Sequence, residues 1–274
     1  MGKIKNVPFR VFCYVLVFLF LFIYLFPLFF VANTSLKSEQ DYLLHPTALT
    51  STWSFGNYIT AWNKANFGAY IGNSILYTGV CTICSLLLSL LIAFPISRKY
   101  VPGAGFLYLL FLCGLFLPNG MIPTFQMVLN MGLYDTKIGY MLVMTGVNAT
   151  SVFFFTGYFK SIPRELDEAA ALDGCGYLRY VIRCIVPLAQ PAMVSMGMLS
   201  MIGVWNDIVS STIYLTSESN YNITRGLFVF TGQYSNDWTL TAAGLLVVAA
   251  PLILIYIFGQ RYIVDGVMAG GLKG

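Results

Sequence analysis

Residues 11–31 read VFCYVLVFLFLFIYLFPLFFV, an apolar stretch without a single charged side chain. About 20 consecutive apolar residues are needed for a helix to cross the hydrocarbon core of a bilayer. The whole chain shares this character, because 58% of its 274 residues are hydrophobic and only 9% are charged. A soluble domain has about 25% charged residues. So few charges cannot cover a surface that faces water, and the sequence therefore predicts an integral membrane protein.

Five further apolar stretches follow along the chain, and each is long enough to cross a bilayer. They are Ala69–Ile96, about 104–125, Ile138–Phe159, Cys184–Asn206 and Trp238–Gln260. A backbone in lipid has to satisfy its own hydrogen bonds, which favours helices, whereas a barrel would show short alternating segments. The predicted fold is therefore an all-α membrane protein with six transmembrane helices.

Lysine and arginine predict the orientation of these spans, because they concentrate on the cytoplasmic side of a membrane. With both termini in the cytosol, eleven of the 15 basic residues fall on inner segments and the other four on outer segments. The opposite orientation would reverse that ratio. We therefore expect a multi-pass membrane protein with both termini cytosolic. Its outer segments are residues 33–68 and 212–237, and its one long inner segment is about 160–183.

The inner segment contains a short helix-forming stretch, since residues 163–174 read PRELDEAAALDG. Pro163 suits a first helical turn, and acids in the first turns are favoured by the helix dipole. Gly174 is a natural left-handed end. Such a helix either rests on lipid headgroups or meets a protein partner. Its acidic start favours the protein partner, because the inner leaflet is anionic.

The spacing within this segment resembles the coupling-loop signature of ABC importer permeases. That signature has Glu-Ala-Ala, three residues, Gly, nine residues, Ile, one residue and Leu-Pro, and here Glu168–Ala170, Gly174 and Pro187 match it. Cys184 and Val186 replace the usual Ile and Leu but remain apolar. Further stretches resemble the carbohydrate-uptake group of these permeases, in particular the type of the smaller maltose permease subunit: Thr34–Lys37, Ile162–Leu166, Leu172–Gly174, Trp205–Asp207, Gln260–Tyr262 and Ala269–Gly274.

The resemblance implies a type I ABC importer transmembrane domain with a cytosolic coupling helix. Residues 1–68 would form a cytosolic tail, the first helix and an outer segment. Residues 69–262 would form the core domain, with its coupling loop at about 160–187, and residues 263–274 a cytosolic tail. The implied function is that of a permease subunit of an ATP-driven, binding-protein-dependent importer of a sugar or oligosaccharide, located in a bacterial cytoplasmic (inner) membrane.

The resemblance also implies partners and coupling residues. The partners are a second homologous permease, two copies of a cytosolic ATPase, an extracytoplasmic sugar-binding protein and the lipid bilayer, with no nucleic acid. Glu168 would pair with a basic group of the ATPase, the alanines would insert into its cleft, and Gly174 would make the turn. The implied coupling residues are Glu168, Ala169, Ala170, Leu172, Asp173, Gly174 and Pro187.

The sequence shows no nucleotide-binding motif and no set of catalytic residues. No Gly-x-x-x-x-Gly-Lys-[Ser/Thr] phosphate loop is present, so ATP and magnesium are expected on the partner ATPase and no cofactor on this chain. The chain has a single histidine, His45, and its six scattered cysteines suit helix packing better than metal binding. We therefore expect a transport subunit rather than an enzyme.

Polar side chains within the spans are candidates for the translocation path, because such residues are costly in lipid. The alternative is that they hold neighbouring helices together. Asp207, next to Trp205 and Asn206, suits either a gate or an interface anchor. The path candidates are Asn119, Gln126, Asn148, Asn206 and Asp207, and Asn73 and Ser74 are further polar residues within a span.

Two other transport functions remain open from the sequence. One is an ABC importer of another solute, such as a polyamine or an oligopeptide. The other is an ion-driven secondary transporter, which would require internal inverted repeats and acids near the middle of the membrane. The sequence shows neither feature. A membrane enzyme or a structural scaffold is disfavoured because no catalytic set is present.

Overall fold

A computed structural model describes residues 7–51, 53–117, 120–231 and 236–271. The predicted path residue Asn119, the first six residues and residues 272–274 of the predicted tail lie outside these ranges. The described secondary structure is helical, apart from one isolated antiparallel bridge between Thr231 and Asn236. The prediction of an all-α protein is confirmed for the described residues.

The α-helices are α1 (Val7–Ser35), α2 (Glu39–Leu44), α3 (Gly56–Lys64), α4 (Phe67–Arg98), α5 (Ala104–Gly114), α6 (Met121–Asn130), α7 (Lys137–Met144), α8 (Ala149–Ser161), α9 (Glu165–Leu172), α10 (Tyr177–Tyr180), α11 (Val186–Leu188), α12 (Gln190–Trp205), α13 (Val209–Tyr214), α14 (Ile223–Gly226) and α15 (Trp238–Gly271). A π-helical turn, Val181–Ile185, joins α10 to α11, and 3₁₀ turns lie at Glu218–Asn220 and Leu227–Phe230. Because α15 continues to Gly271, the described part of the predicted tail is helical.

Three helices are long and apolar enough to cross a membrane: α1, α4 and the Trp238–Ile257 part of α15. Two bent helix pairs pass the same test, so the number of spans rises to five if each pair is one span. The pair α7 and α8 bends by 47°, and the pair that joins Tyr177–Leu188 to α12 bends by 75°. By length and composition, the described residues thus contain three to five spans.

Three of the six predicted stretches do not form one continuous helix in the structure. The third stretch divides into α5 and α6, and glycines, which weaken helices, lie at the end of α5 and just before α6. The fourth is interrupted at residues 145–148, where Asn148 caps α8 by accepting a hydrogen bond from the Thr150 N–H. In the fifth, prolines at 187 and 191 flank the bend at Ala189, because proline cannot continue a regular helix.

The chain divides into two compact units. The first comprises residues 1–68 and 226–251, and the second comprises residues 69–225 and 252–274. In the first unit, Lys37 is fully buried, and its Nζ donates to the His45 carbonyl at 2.5 Å and to the Pro46 carbonyl at 3.2 Å. The side-chain amide of Asn57 donates to the carbonyls of Ser35 and Lys37. These bonds hold the segment that follows α1 in a defined conformation.

Two apolar clusters lie among the described residues of the second unit. The first cluster joins α4, α8 and the segment from α10 to α12, with Phe94, Phe155, Phe159 and Ile185 at its centre. The second cluster joins α4, α7 and α13 around Tyr77, Tyr140 and Tyr214 and two smaller buried residues, Cys81 and Val204. Helix α9 packs on the first cluster through Ala170, and Cys175, which follows the helix, packs against the same cluster.

Candidate functional site

The short helix predicted within residues 163–174 is present as α9. It begins at Glu165, and the Arg164 carbonyl accepts the first helical hydrogen bonds, from the Asp167 and Glu168 N–H groups. Pro163 therefore precedes the helix, and its predicted place in the first turn was wrong. The acids of the sequence do occupy the first turn, as Glu165, Asp167 and Glu168.

Helix α9 ends in a left-handed glycine turn. Gly174 has φ +67°, a conformation that costs a residue with a side chain about 1–2 kcal/mol. The Cys175 N–H donates to the Ala170 carbonyl at 2.9 Å, and the Gly174 N–H donates to the Ala171 carbonyl at 3.1 Å. This pair of bonds is the Schellman pattern. The predicted glycine end is confirmed, and it fixes where the helix stops.

The surface of α9 divides into two faces. Ala170 is half-buried and packs against the first cluster, whereas Glu168 and Ala169 are exposed. Leu172 is 89% exposed, although it is a large apolar side chain. The remaining predicted coupling residues, Asp173, Gly174 and Pro187, are exposed as well. All but one of the predicted coupling residues are thus available to a partner.

Asp167 lies between the exposed acids but points into the protein. Arg98 Nε lies 2.8 Å from Asp167 Oδ2, and Arg98 Nη2 donates to Oδ1 at 3.2 Å. The Tyr100 hydroxyl donates to Oδ2 at 2.9 Å, and the Tyr180 hydroxyl donates to Oδ1 at 2.5 Å. The side chain of Arg98 is only 2% exposed and that of Asp167 only 11%. One carboxylate thus joins the end of α4, the segment after it, α9 and α10.

Sequence reasoning missed this cluster. Arg98 was read only as a positive charge on an inner segment, and Asp167 only as an acid near a helix start. A usable signal was the spacing of Asp167 and Ala170, which places both on one face of a helix. Nothing in the sequence could pair that face with Arg98, which lies 69 positions earlier.

A pocket of about 360 Å³ with a partly polar lining, called the polar pocket below, lies at the break between α7 and α8. Asn148, at the break, lines it with residues of α4, α7, α8 and α12. The hydroxyl of Ser85 donates to the Gly146 carbonyl, which the break leaves outside any helix, at 3.4 Å. The polar members of the lining are Ser85, Asn148, Thr150, Ser151 and Ser200. Irregular backbone at membrane depth is tolerated where it is buried in protein or lines a cavity.

Gln126, Asn206 and Asp207, the other path candidates that the structure describes, do not line this pocket. Gln126 and Asn206 are exposed, on α6 and at the end of α12. Asp207 accepts hydrogen bonds from the Ser211 N–H at 2.8 Å and from the buried hydroxyl of Tyr140 at 3.0 Å. These contacts fix the start of α13 and favour the anchoring alternative for Asp207.

Asn73 and Ser74 hold the segment before α14. The Asn73 amide donates to the carbonyls of Ser219 and Tyr221 at 2.9 Å, and the Ser74 hydroxyl accepts from the Ile223 N–H at 2.8 Å. These bonds fit the role of joining neighbouring segments.

Asp135, before α7, fixes the same segment. It has φ +55° and accepts hydrogen bonds from the N–H groups of Thr216, at 2.8 Å, and Ser217, at 2.9 Å, and from the Ser217 hydroxyl. Burial opposes ionisation, but the hydrogen bonds from Ser217 and Thr216 outweigh it and hold the pKa of Asp135 well below its usual range. The carboxylate therefore stays ionised at neutral pH.

Over the described ranges, no three His, Cys, Asp or Glu side chains come together in a way that could hold a metal ion. The features that remain are the exposed face of α9, the ion pair beneath it and the polar pocket at the helix break.

Comparison with known proteins gives concordant matches. The family described as "Binding-protein-dependent transport system inner membrane component" matches residues 76–268. The chain is 33% identical to "Inner membrane ABC transporter permease protein YcjP" of Escherichia coli (strain K12), over 93% of this chain and 94% of that protein. It is 29% identical to "Diacetylchitobiose uptake system permease protein NgcG" of Streptomyces coelicolor, over 94% of this chain and 87% of that protein.

A solved structure shares the fold. The match is to a chain of a bacterial ABC transporter involved in the import of the acidic polysaccharide alginate, with a TM-score of 0.85. It covers 96% of this chain and 99% of that chain at 22% sequence identity.

Proposed function

Because the chain belongs to the family of binding-protein-dependent transport system inner membrane components, we propose that it is a permease subunit of an ATP-driven importer of a sugar or oligosaccharide. The observation that carries the proposal is the exposed face of α9, which presents acids and an apolar side chain outside the long apolar helices. The sugar is proposed because a relative similar over most of its length is a diacetylchitobiose uptake permease by name.

The exposed face of α9 suits a docking contact with an ATPase. Glu168 supplies a charge for a basic group of the partner, and Leu172 supplies an apolar side chain that its own chain leaves exposed. Ala169 adds a slim surface that another backbone can approach. Ala170 packs against its own chain, so we assign the docking contact to Glu168, Ala169 and Leu172. ATP and magnesium would be bound by the ATPase, which would close and pull this helix.

The proposed topology has six spans and cytosolic termini. The three long helices would form three spans, and each bent pair would form one more. Helices α5 and α6 together would form the sixth span. The basic residues support this orientation, since eleven of 15 then lie on the cytosolic side. A second homologous permease would complete the path, two ATPase copies would bind from the cytosol, and a sugar-binding protein would deliver the solute from outside.

The pocket at the break between α7 and α8 is the proposed contribution of this subunit to the path. Its volume of about 360 Å³ lies within the usual range of ligand sites, about 300–1,000 Å³. Its hydroxyl and amide side chains can exchange hydrogen bonds with sugar hydroxyls. Another pocket in the second unit, of about 570 Å³, has a predominantly apolar lining that includes Met193, Met198 and Met201, which suits a lipid or a helix better than a sugar.

Substitution at the coupling face tests the proposal. Glu168→Lys, which reverses an exposed charge, and Gly174→Pro, which breaks the left-handed end, should abolish uptake while the protein still reaches the membrane. Glu39→Lys, an exposed charge reversal on α2, is the matched control and should leave uptake unchanged. The measurement is growth on a panel of oligosaccharides as sole carbon source, with membrane levels by immunoblot. Normal growth of both coupling variants would refute the coupling assignment.

A further inference from the structure

Asp167 and Arg98 form an ion pair that the proposed docking contact does not use. We infer that this pair is the internal seat of α9: Arg98 and Asp167 are positioning residues that fix the coupling helix on the inner end of α4. The inference rests on the proposed coupling role of α9. It assigns neighbouring acids to different tasks, because Glu168 faces outward and Asp167 is held within its own chain.

The geometry of Arg98 suits a fixed seat. Its guanidinium contacts both carboxylate oxygens of Asp167, and its Nη1 donates to the Ile162 carbonyl at 3.0 Å. One planar group thus holds α9 and also the residue that leads into it. A planar guanidinium that donates to one carboxylate oxygen and lies close to the other restricts orientation as well as distance, which a lysine in its place could not do.

Two tyrosines complete the coordination of the carboxylate. Tyr180, which is buried, donates to Oδ1, and Tyr100, which is half-exposed, donates to Oδ2. Burial, together with the hydrogen bond to Asp167, raises the pKa of Tyr100, so its hydroxyl remains a donor at neutral pH. Contacts from both sides of Asp167 thereby prevent α9 from sliding or rotating on its support.

Burial makes the pair stiff. With 2% and 11% of the two side chains exposed, water cannot readily replace either partner. Removing one charge would leave the other buried without compensation, which is strongly unfavourable. A displacement of α9 is therefore transmitted directly to Arg98, which is the last residue of α4.

Helix α4 extends the effect of the seat through the second unit. From Ala69 onward it forms one continuous helix, and its other end bears Asn73 and Ser74, which hold the segment before α14. Two sites are coupled when a perturbation between them changes how one site responds to the other. The seat therefore predicts that a substitution of Asp167 weakens the response of ATP hydrolysis to the binding protein. The same substitution should not prevent the ATPase from docking on Glu168.

The experiment uses the complete transporter, purified with its co-purifying ATPase and reconstituted in liposomes. ATP hydrolysis is measured with and without the co-purifying binding protein, and the readout is the ratio of the two rates. Loss of folded protein lowers both rates and leaves this ratio unchanged, so the ratio separates coupling from stability. The variants are Asp167→Asn, Arg98→Lys, Tyr180→Phe and the charge swap Arg98→Asp with Asp167→Arg, and Lys99→Gln serves as the exposed neighbouring control.

We expect Asp167→Asn to keep the ATPase in the complex but to lower the stimulation ratio about tenfold, which is within the usual range of coupling between sites. Arg98→Lys should lower it less, Tyr180→Phe least, and the charge swap should recover part of the loss. If Asp167→Asn does not accumulate, the ratios of Arg98→Lys and Tyr180→Phe decide. Ratios equal to that of Lys99→Gln in all accumulating variants would overturn the seat. If the unmodified chain brings no ATPase with it, the proposed function fails instead.

Discussion

Truncation of Leu172 to alanine isolates the apolar part of the proposed docking contact. Leu172 is 89% exposed, so the free permease should lose almost no stability when this side chain is shortened. If the ATPase covers the side chain, the truncation removes three buried carbon groups at about 0.8 kcal/mol each, or about 2.4 kcal/mol. That loss corresponds to roughly 50-fold weaker binding, since about 1.4 kcal/mol is a factor of ten.

The assay is the affinity of the purified ATPase for the permease in detergent, measured by biolayer interferometry. Leu178→Ala is the matched control, because Leu178 is a leucine of α10 that is 66% exposed and lies outside the proposed contact. We expect weaker binding with Leu172→Ala, unchanged binding with Leu178→Ala, and the same melting temperature for both. Equal affinities for the two variants would refute the docking contact, and a lower melting temperature of Leu172→Ala would show that the side chain has a structural role.

Three further predictions concern other parts of the second unit. Ser200→Leu should fill the polar pocket and slow sugar uptake without releasing the ATPase, as checked by uptake and co-purification on one sample; unimpaired uptake would exclude the pocket from the path. Gly139→Ala should destabilise the protein by about 1–3 kcal/mol, because the added carbon would lie 2.1 Å from the Leu133 carbonyl oxygen. Gly79→Ala is the control, because its added carbon meets open space and should not destabilise the protein. A thermal-shift assay of the two variants measures the difference. The lowered pKa of Asp135 stabilises the fold above the usual aspartate pKa of about 4, and this contribution is lost only as the pH falls through the lower folded value. Limited proteolysis of residues 214–222 should therefore be constant from neutral pH down to about pH 5 and increase in Asp135→Asn, and cleavage that rises within that pH range would contradict it.

The membrane helices could be predicted where the chain is uniformly apolar. Val11–Val31 lies within α1 and Ala69–Ile96 within α4, because long charge-free stretches have no alternative in lipid. The breaks at residues 145–148 and at Ala189 were not predicted, because hydropathy reports how apolar a stretch is and not where its helix changes direction. Their local signals were present, as an asparagine cap before α8 and prolines on both sides of the bend.

The site was predicted in part for a similar reason. Local chemistry gave the short helix and its glycine end, because helix propensity and left-handed backbone are properties of a few adjacent residues. The separate roles of Asp167 and Glu168 depend on which side of α9 meets the core. That depends on Arg98 and Tyr180, which reach Asp167 only through the tertiary fold.

Affinity purification of this chain from gently solubilised native membranes, followed by mass spectrometry, tests the central claim most directly. The account predicts that a phosphate-loop ATPase and a second multi-span permease are recovered with it, and that Glu168→Lys loses the ATPase but keeps the second permease. Recovery of the chain alone, or as a homo-oligomer without an ATPase, would contradict the account and return an ion-driven transporter to consideration.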